Sequence, residues 1–215
     1  MPSKKLKTPL RPDRYYHIYN RGNNKEKIFY HSGDYIFFLA KYKEYVAPYV
    51  RTYAFCLIPN HFHFLIKTGY EFDSAKVNIP NQLRKLFICH AQRINFMQRR
   101  TGGLFTKSYQ RIEIQDEAYL TQVVNYIHKN PVKHGVERHF EKYIYSSYKI
   151  FLSDSETLLA RDEVLDWFRG KQAFIDFHYN DLTDPKTFGL LNLEENDLNY
   201  LKPGIESLQT GMESL

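Results

Sequence analysis

Cysteine chemistry has little to work with in this chain of 215 residues, which holds two cysteines. Cys56 and Cys89 lack the paired spacing of a zinc ribbon and sit in apolar runs, so both read as reduced, buried thiols of a cytoplasmic protein. No apolar run is long enough to cross a bilayer, and Met1-Pro2-Ser3-Lys4-Lys5 leads into no signal-peptide core. A membrane protein and a secreted disulfide scaffold are therefore both set aside. No segment repeats and none is low-complexity, which removes solenoids and arrays. Acid is missing over one long stretch: Ser74–Ile112 has no Asp or Glu, yet carries Lys76, Arg84, Lys85, Arg93, Arg99, Arg100, Lys107 and Arg111. The overall net charge of +6 conceals this asymmetry, because residues 153–215 hold 13 acidic and 5 basic side chains against 11 acidic and 25 basic in 1–152. A one-signed segment with interspersed rings suits a polyanion with stackable bases, which points to nucleic acid.

What is present is aromatic and patterned. At 43% hydrophobic and 16% aromatic the chain can bury a sizeable core. Arg14–Arg21 alternates as a strand, with Tyr15, His17 and Tyr19 on one face. Ser32-Gly33-Asp34 opens a helix to about Tyr45, and Tyr49–Leu57 and His61–Lys67 read as strands joined at Ile58-Pro59-Asn60. A linker follows through Pro80. Gln82–Arg99 is a basic amphipathic helix, Leu104–Ile114 is extended, and a helix from Asp116 or Glu117 should stop near Asn130, because Pro131 disfavours the α conformation in the residue before it. This order predicts an α+β ferredoxin-like sandwich with a central antiparallel sheet and helices on one face. Residues 1–152 would form the catalytic and DNA-binding domain. Residues 153–215 would be an acidic C-terminal helical extension packed on the core, with a helix at Val164-Leu165-Asp166-Trp167-Phe168.

Two segments carry chemistry. In Phe55-Cys56-Leu57-Ile58-Pro59-Asn60-His61-Phe62-His63-Phe64, strand alternation turns His61 and His63 to the same side. Two same-facing imidazoles can grip one divalent cation; the plainer reading is a pair of polar residues on a half-exposed strand. In Val124-Asn125-Tyr126-Ile127-His128-Lys129-Asn130-Pro131, Tyr126 and Asn130 lie one helical turn apart on a common face. If that face meets the histidine strand, His61, His63 and Asn130 would hold a divalent metal, Mg²⁺ or Mn²⁺, with positions open for phosphate oxygens, and Tyr126 could attack phosphorus. On spacing alone, a tyrosine on an amphipathic helix is more often core than nucleophile.

Four motifs occur in order: Tyr16-His17-Ile18-Tyr19-Asn20-Arg21-Gly22-Asn23-Asn24, the Phe55–His63 segment with Tyr53-Ala54 before it, Tyr126-Ile127-His128-Lys129-Asn130-Pro131-Val132-Lys133-His134-Gly135, and Tyr145-Ser146-Ser147-Tyr148. Together, over about Arg14 to Ile150, they resemble the IS200-like Y1 transposases, most closely the REP-associated tyrosine transposase branch. The resemblance implies a metal-dependent single-stranded DNA endonuclease and strand-transferase acting near DNA hairpins through a covalent phosphotyrosine. In it Tyr126 matches the nucleophile, His61 and His63 the paired ligands, and Asn130 the residue completing the metal site. Phe62 is bulkier than the aliphatic residue often found between the histidines. The resemblance also makes a homodimer an expectation.

Arg21, Lys67, Arg84, Arg93, Arg111 and Lys133 are candidates for phosphate contacts. Phe105 and Tyr109 could stack on unpaired bases or pack over the sheet. His17, His128 and His134 lie near the expected site in sequence and read as ordinary packing or surface histidines. Two rival functions remain at this level: a domesticated, non-cleaving protein that binds hairpin DNA or RNA, and a zinc-dependent hydrolase on His61 and His63, which lacks an evident third His or Cys.

Overall fold

A computed structural model describes residues 9–69, 78–106 and 109–180. Four strands, β1 (Tyr15–Arg21), β2 (Val50–Ile58), β3 (His61–Thr68) and β4 (Gln110–Ile114), form one antiparallel sheet in the order β2-β3-β1-β4. Helix α1 (Ser32–Tyr45) crosses from β1 to β2, and α2 (Ile79–Met97) from β3 to β4. This is the ferredoxin-like arrangement that the sequence predicts.

Alternation along β1 and β3 decides the layering. Tyr16 and Ile18, with Phe62, Phe64 and Ile66, face α1 and α2 and pack with Phe38, Tyr42, Leu83, Leu86 and Phe87 in the main core. Phe62 is 1% exposed and its ring lies 5.2 Å from Phe38 and 5.4 Å from Phe87, centroid to centroid. The intervening residues His61 and His63 therefore point to the opposite face, where α3 (Leu120–Lys133) lies across β2 and β3. The two crossover helices thus share one face and α3 takes the other.

Local chemistry pins the ends. Asp34 at the start of α1 accepts hydrogen bonds from the Tyr30 and His31 backbone N–H groups, both at 3.0 Å, and forms an ion pair with Arg93 of α2 at 3.3 Å. The turn between β2 and β3 is held from outside: Ile28 and Phe29 N–H donate to the Pro59 carbonyl at 2.7 and 3.0 Å, and Gly22 N–H to the Asn60 carbonyl at 2.8 Å. Gly22 has to be glycine, since a Cβ there would collide with the Glu26 carbonyl oxygen.

Two boundaries differ from the sequence reading. Helix α2 begins at Ile79, capped by the Asn78 side chain, which accepts from Asn81 N–H at 2.9 Å; Pro80 is not the end of a linker but sits in the first turn, where a missing N–H costs nothing. Helix α3 does not stop at Asn130 but runs through Pro131 to Lys133, capped by His134, whose N–H donates to the Asn130 carbonyl at 3.1 Å. Pro131 lies in the last turn, so it deletes a single backbone bond there, and the Pro131 carbonyl accepts from Val136 and Glu137 N–H.

Past α3, α4 (Tyr148–Leu152), α5 (Arg161–Trp167) and α6 (Lys171–Asn180) pack on α3, and α5 also meets the sheet through Trp167. The expected helix around Val164–Phe168 is α5; α6 was not anticipated. An irregularity in β2 lies between Thr52 and Ala54, the position of Tyr53, whose hydroxyl donates to Glu163 at 2.8 Å. Arg51 forms an ion pair with the same carboxylate at 2.9 Å, and Trp167 stacks on the Tyr53 ring at 4.9 Å. The described residues fall within one compact unit, Met1–Leu182. The remainder of the expected extension, and Lys76 and Lys107 of the acid-free stretch, lie outside the described residues.

Candidate active site

His61 and His63 stand side by side on β3, their rings 5.1 Å apart and nearly perpendicular. Asn130 and Tyr126 reach them from α3. His61 Nε2 lies 2.9 Å from Asn130 Oδ1, and the Tyr126 ring meets the edge of His63 at 5.7 Å and of His17 at 6.0 Å. The strand and helix segments separated in sequence therefore meet, and all four expected site residues share one cluster. Lys133, one further turn along, places its ammonium 4.8 Å from the Tyr126 ring centroid.

Burial makes the imidazoles neutral. Desolvation holds His61 and His63 well below the ordinary histidine value; His134 adds to the effect at His61, and His61 at His63. His134, 4.4 Å from His61 by ring centroids, is pushed down to about 4 by burial, then by Lys133 and Arg21. Neutral imidazole is the form that offers a lone pair.

The tautomer of His61 follows from its neighbours. Asn60 Nδ2 donates to the Lys25 carbonyl at 3.4 Å, which orients the Asn60 amide and turns its oxygen to His61 Nδ1 at 2.8 Å. His61 Nδ1–H is then the donor, so its Nε2 carries a lone pair and faces Asn130 Oδ1, another lone pair. Two arrangements relieve that contact: the Asn130 amide turned to donate, or a cation taken by both atoms. Asn130 Nδ2 is buried and has no hydrogen-bond partner among the described residues.

The candidate phosphate contacts do not assemble in one place. Arg21 pairs in register with His61 and, with Lys133, borders the site. Arg111 and Ile18 are paired in register, which puts Arg111 on the α1/α2 face, where its guanidinium donates to the Tyr109 hydroxyl at 3.0 Å. Arg84 is exposed on α2, and Arg93 is engaged with Asp34. Lys67 lies at the far end of β3, in an ion pair with Asp13 at 2.8 Å. Phe105 and Tyr109 both pack on Phe87.

The sequence reads His17 as an ordinary packing or surface histidine, and the structure places it against the site. Its Nε2 lies 2.9 Å from His63 Nδ1, and burial lowers it to about 3. The signal was its place on the same face as Tyr15 and Tyr19, usable only once β1 is known to lie beside β3. Among the described residues, no three or more His, Cys, Asp or Glu side chains are grouped to hold a metal ion; the further oxygen beside His61 is the Asn130 amide.

A ferredoxin-like sheet with a His-Phe-His strand facing a tyrosine-bearing helix is the architecture that the resemblance to the IS200-like Y1 class implies. Over 119 residues the chain is 30% identical to a protein of Haemophilus influenzae provisionally named a REP-associated tyrosine transposase. The match covers 52% of this chain and 66% of that relative, just under two thirds of its length. In fold, the chain is similar to a REP-associated tyrosine transposase solved bound to a REP hairpin, with a TM-score of 0.58, 13% identity, and coverage of 69% of this chain and 84% of that one. No protein-family model matches.

Proposed function

We propose that this chain is a divalent-metal-dependent, single-strand-specific DNA endonuclease and strand-transferase that acts beside DNA hairpins through a covalent link to Tyr126. The observation that carries the reading is the convergence of His61, His63, Asn130 and Tyr126 on one face of the sheet. Similarity to a transposase solved on a REP hairpin supports hairpin DNA as the partner.

The donor set fits a cation. Neighbouring ligands of an octahedral ion with bonds near 2.1 Å stand about 3 Å apart, and His61 Nε2 and Asn130 Oδ1 are separated by 2.9 Å. His61, His63 and Asn130 would hold the ion, and when bound it supplies Lewis-acid polarisation of the scissile phosphodiester. Two nitrogens and one amide oxygen suit Mn²⁺ at least as well as Mg²⁺. The Tyr126 phenol oxygen bonds to phosphorus as the scissile P–O bond breaks, the phenol proton passes to water, and the released strand end leaves as a free hydroxyl. The Lys133 ammonium stands against the ring that must then carry negative charge. Arg21, beside His61, supplies positive charge where the phosphate would lie. The phosphotyrosine conserves the energy of the broken strand for rejoining.

Incubation of the protein and Mn²⁺ with labelled single-stranded DNA carrying a hairpin should give a protein-linked product on a denaturing gel. Tyr126→Phe should keep hairpin binding and lose both the adduct and cleavage, and EDTA should abolish both in the wild type. Cleavage by Tyr126→Phe would remove the assigned nucleophile. A second reading, a hairpin-binding protein that does not cut, draws on the closure of the site: Tyr126 is 5% exposed and His63 fully buried. Hairpin binding with no adduct at any Mn²⁺ concentration would favour it. The same proposal holds the protein to be cytoplasmic and homodimeric, and sedimentation of the full chain tests the dimer. Among the described residues no helix is long and apolar enough to cross a membrane.

A further inference from the structure

The second histidine of the triplet is held by a residue outside it. His17 Nε2 and His63 Nδ1 are 2.9 Å apart, with ring planes 15° from parallel, and both side chains are buried. His17 reaches across from β1, where Tyr19 is the register partner of His63 and His17 stands diagonal to it. A neutral imidazole carries one N–H, so of the two facing nitrogens one donates and one accepts. Which one donates decides what the other end of His63 can do.

We propose that His17 is a positioning residue for the metal site: its Nε2 accepts the Nδ1–H of His63, which gives His63 Nε2 the lone pair that ligates the cation. This rests on the reading of His61, His63 and Asn130 as metal ligands. In the opposite tautomer pair His63 carries its proton on Nε2 and has no lone pair there to give. Metal-bound histidines as a rule donate their other N–H to an acceptor that fixes ring and tautomer. Asn60 plays that part for His61, and His17 plays it for His63, with an imidazole nitrogen where a carbonyl or carboxylate is usual. Using a neutral acceptor has a consequence. In the metal-binding tautomer the His17 proton sits on Nδ1, which is buried with no hydrogen-bond partner among the described residues.

The test is Mn²⁺ affinity of the full chain, measured by calorimetry and by paramagnetic resonance of free Mn²⁺, without DNA and without turnover. His17→Phe, which fills the site without an acceptor, should weaken Mn²⁺ binding by roughly 10- to 100-fold. His17→Gln, whose amide oxygen reaches the position of Nε2, should stay within a few-fold of wild type. His17→Asn, too short to reach it, should resemble His17→Phe. Wild-type affinity in His17→Phe and His17→Asn overturns the role, and so does an equal loss in all three. Long-range ¹H–¹⁵N spectra of the Mg²⁺-saturated wild type need no variant: His63 protonated on Nδ1 is expected, and protonation on Nε2 overturns the proposal. His63→Ala separates the two levels. If it leaves Mn²⁺ affinity unchanged, the metal reading fails and the His17 role with it; if it loses affinity while His17→Phe does not, the His17 role alone fails.

Discussion

Replacing His178 by alanine should release α6 from the helix that carries Tyr126, and the size of the effect follows from a buried relay. His178 Nδ1–H donates to the Phe174 carbonyl at 2.7 Å, one turn back in α6. Its Nε2 therefore accepts, and His128 Nδ1–H of α3 donates to it at 2.9 Å. His128 Nε2 in turn accepts the Ser147 hydroxyl proton at 2.8 Å, and Ser147 Oγ accepts Phe55 N–H of β2 at 2.9 Å. A single carbonyl at one end thus sets every tautomer in a chain joining α6, α3 and β2. Alanine leaves His128 Nδ1–H as a buried donor, at about 1–3 kcal/mol. It also opens a cavity among rings such as Phe174, 4.3 Å away, and Tyr148, 5.1 Å away. Together these give a loss of about 3–5 kcal/mol, or a fall in Tm of roughly 10 °C at this chain length. Urea unfolding monitored by the single tryptophan, Trp167 on neighbouring α5, measures it. A loss below about 1 kcal/mol would refute the relay as a structural link, since even the orphaned donor alone should cost that much.

Acid should unfold the protein through the same kind of group. His178 and His90 are each lowered by burial to about 4 from an ordinary value of 6.5. The neutral form belongs to the fold, so their stabilisation is complete above pH 6.5 and is lost as pH falls towards 4; unchanged stability over that window, followed by circular dichroism, would contradict the burial. Arg93→Ala should lower stability by about 1–2 kcal/mol through the loss of its bond to buried Asp34 while leaving hairpin DNA affinity unchanged, because that side chain joins α1 to α2. Arg21→Ala and Lys133→Ala should each weaken hairpin binding and reduce the slope of log affinity against log salt by about 1, as filter binding at several salt concentrations would measure. Phe62→Ala should cost about 3–5 kcal/mol in denaturant titrations, since the ring is 1% exposed between α1 and α2; a cost near zero would mean the core closes over the gap.

The strands and the crossover helices were legible because their signals are local. Alternation in Tyr15–Arg21 and His61–Thr68, the Pro59-Asn60 turn and the periodicity of α1 and α2 each arise within a few residues. Pro131 misled because its effect depends on position: at the end of a helix it removes one bond, and the Asn130 carbonyl still caps the turn. The basic candidates were read as one group, and β-strand register and helix facing distributed them over both faces and the far end of the sheet. Charge along a chain does not say which side of a sheet each residue takes.

By itself, the sequence determined which residues share a face: His61 with His63 by the two-residue period of a strand, Tyr126 with Asn130 by the turn of a helix. It also placed an excess of positive charge in the part of the chain that bears them. Only the tertiary structure decided that these faces meet, that His17 and Asn60 set the ring nitrogens of the pair, and that Arg21 and Lys133 are the basic side chains at hand. The reason is physical. Side-chain periodicity is a property of consecutive backbone dihedrals, whereas strand pairing and the packing of α3 over β3 are fixed by burial and hydrogen bonding between segments some sixty residues apart.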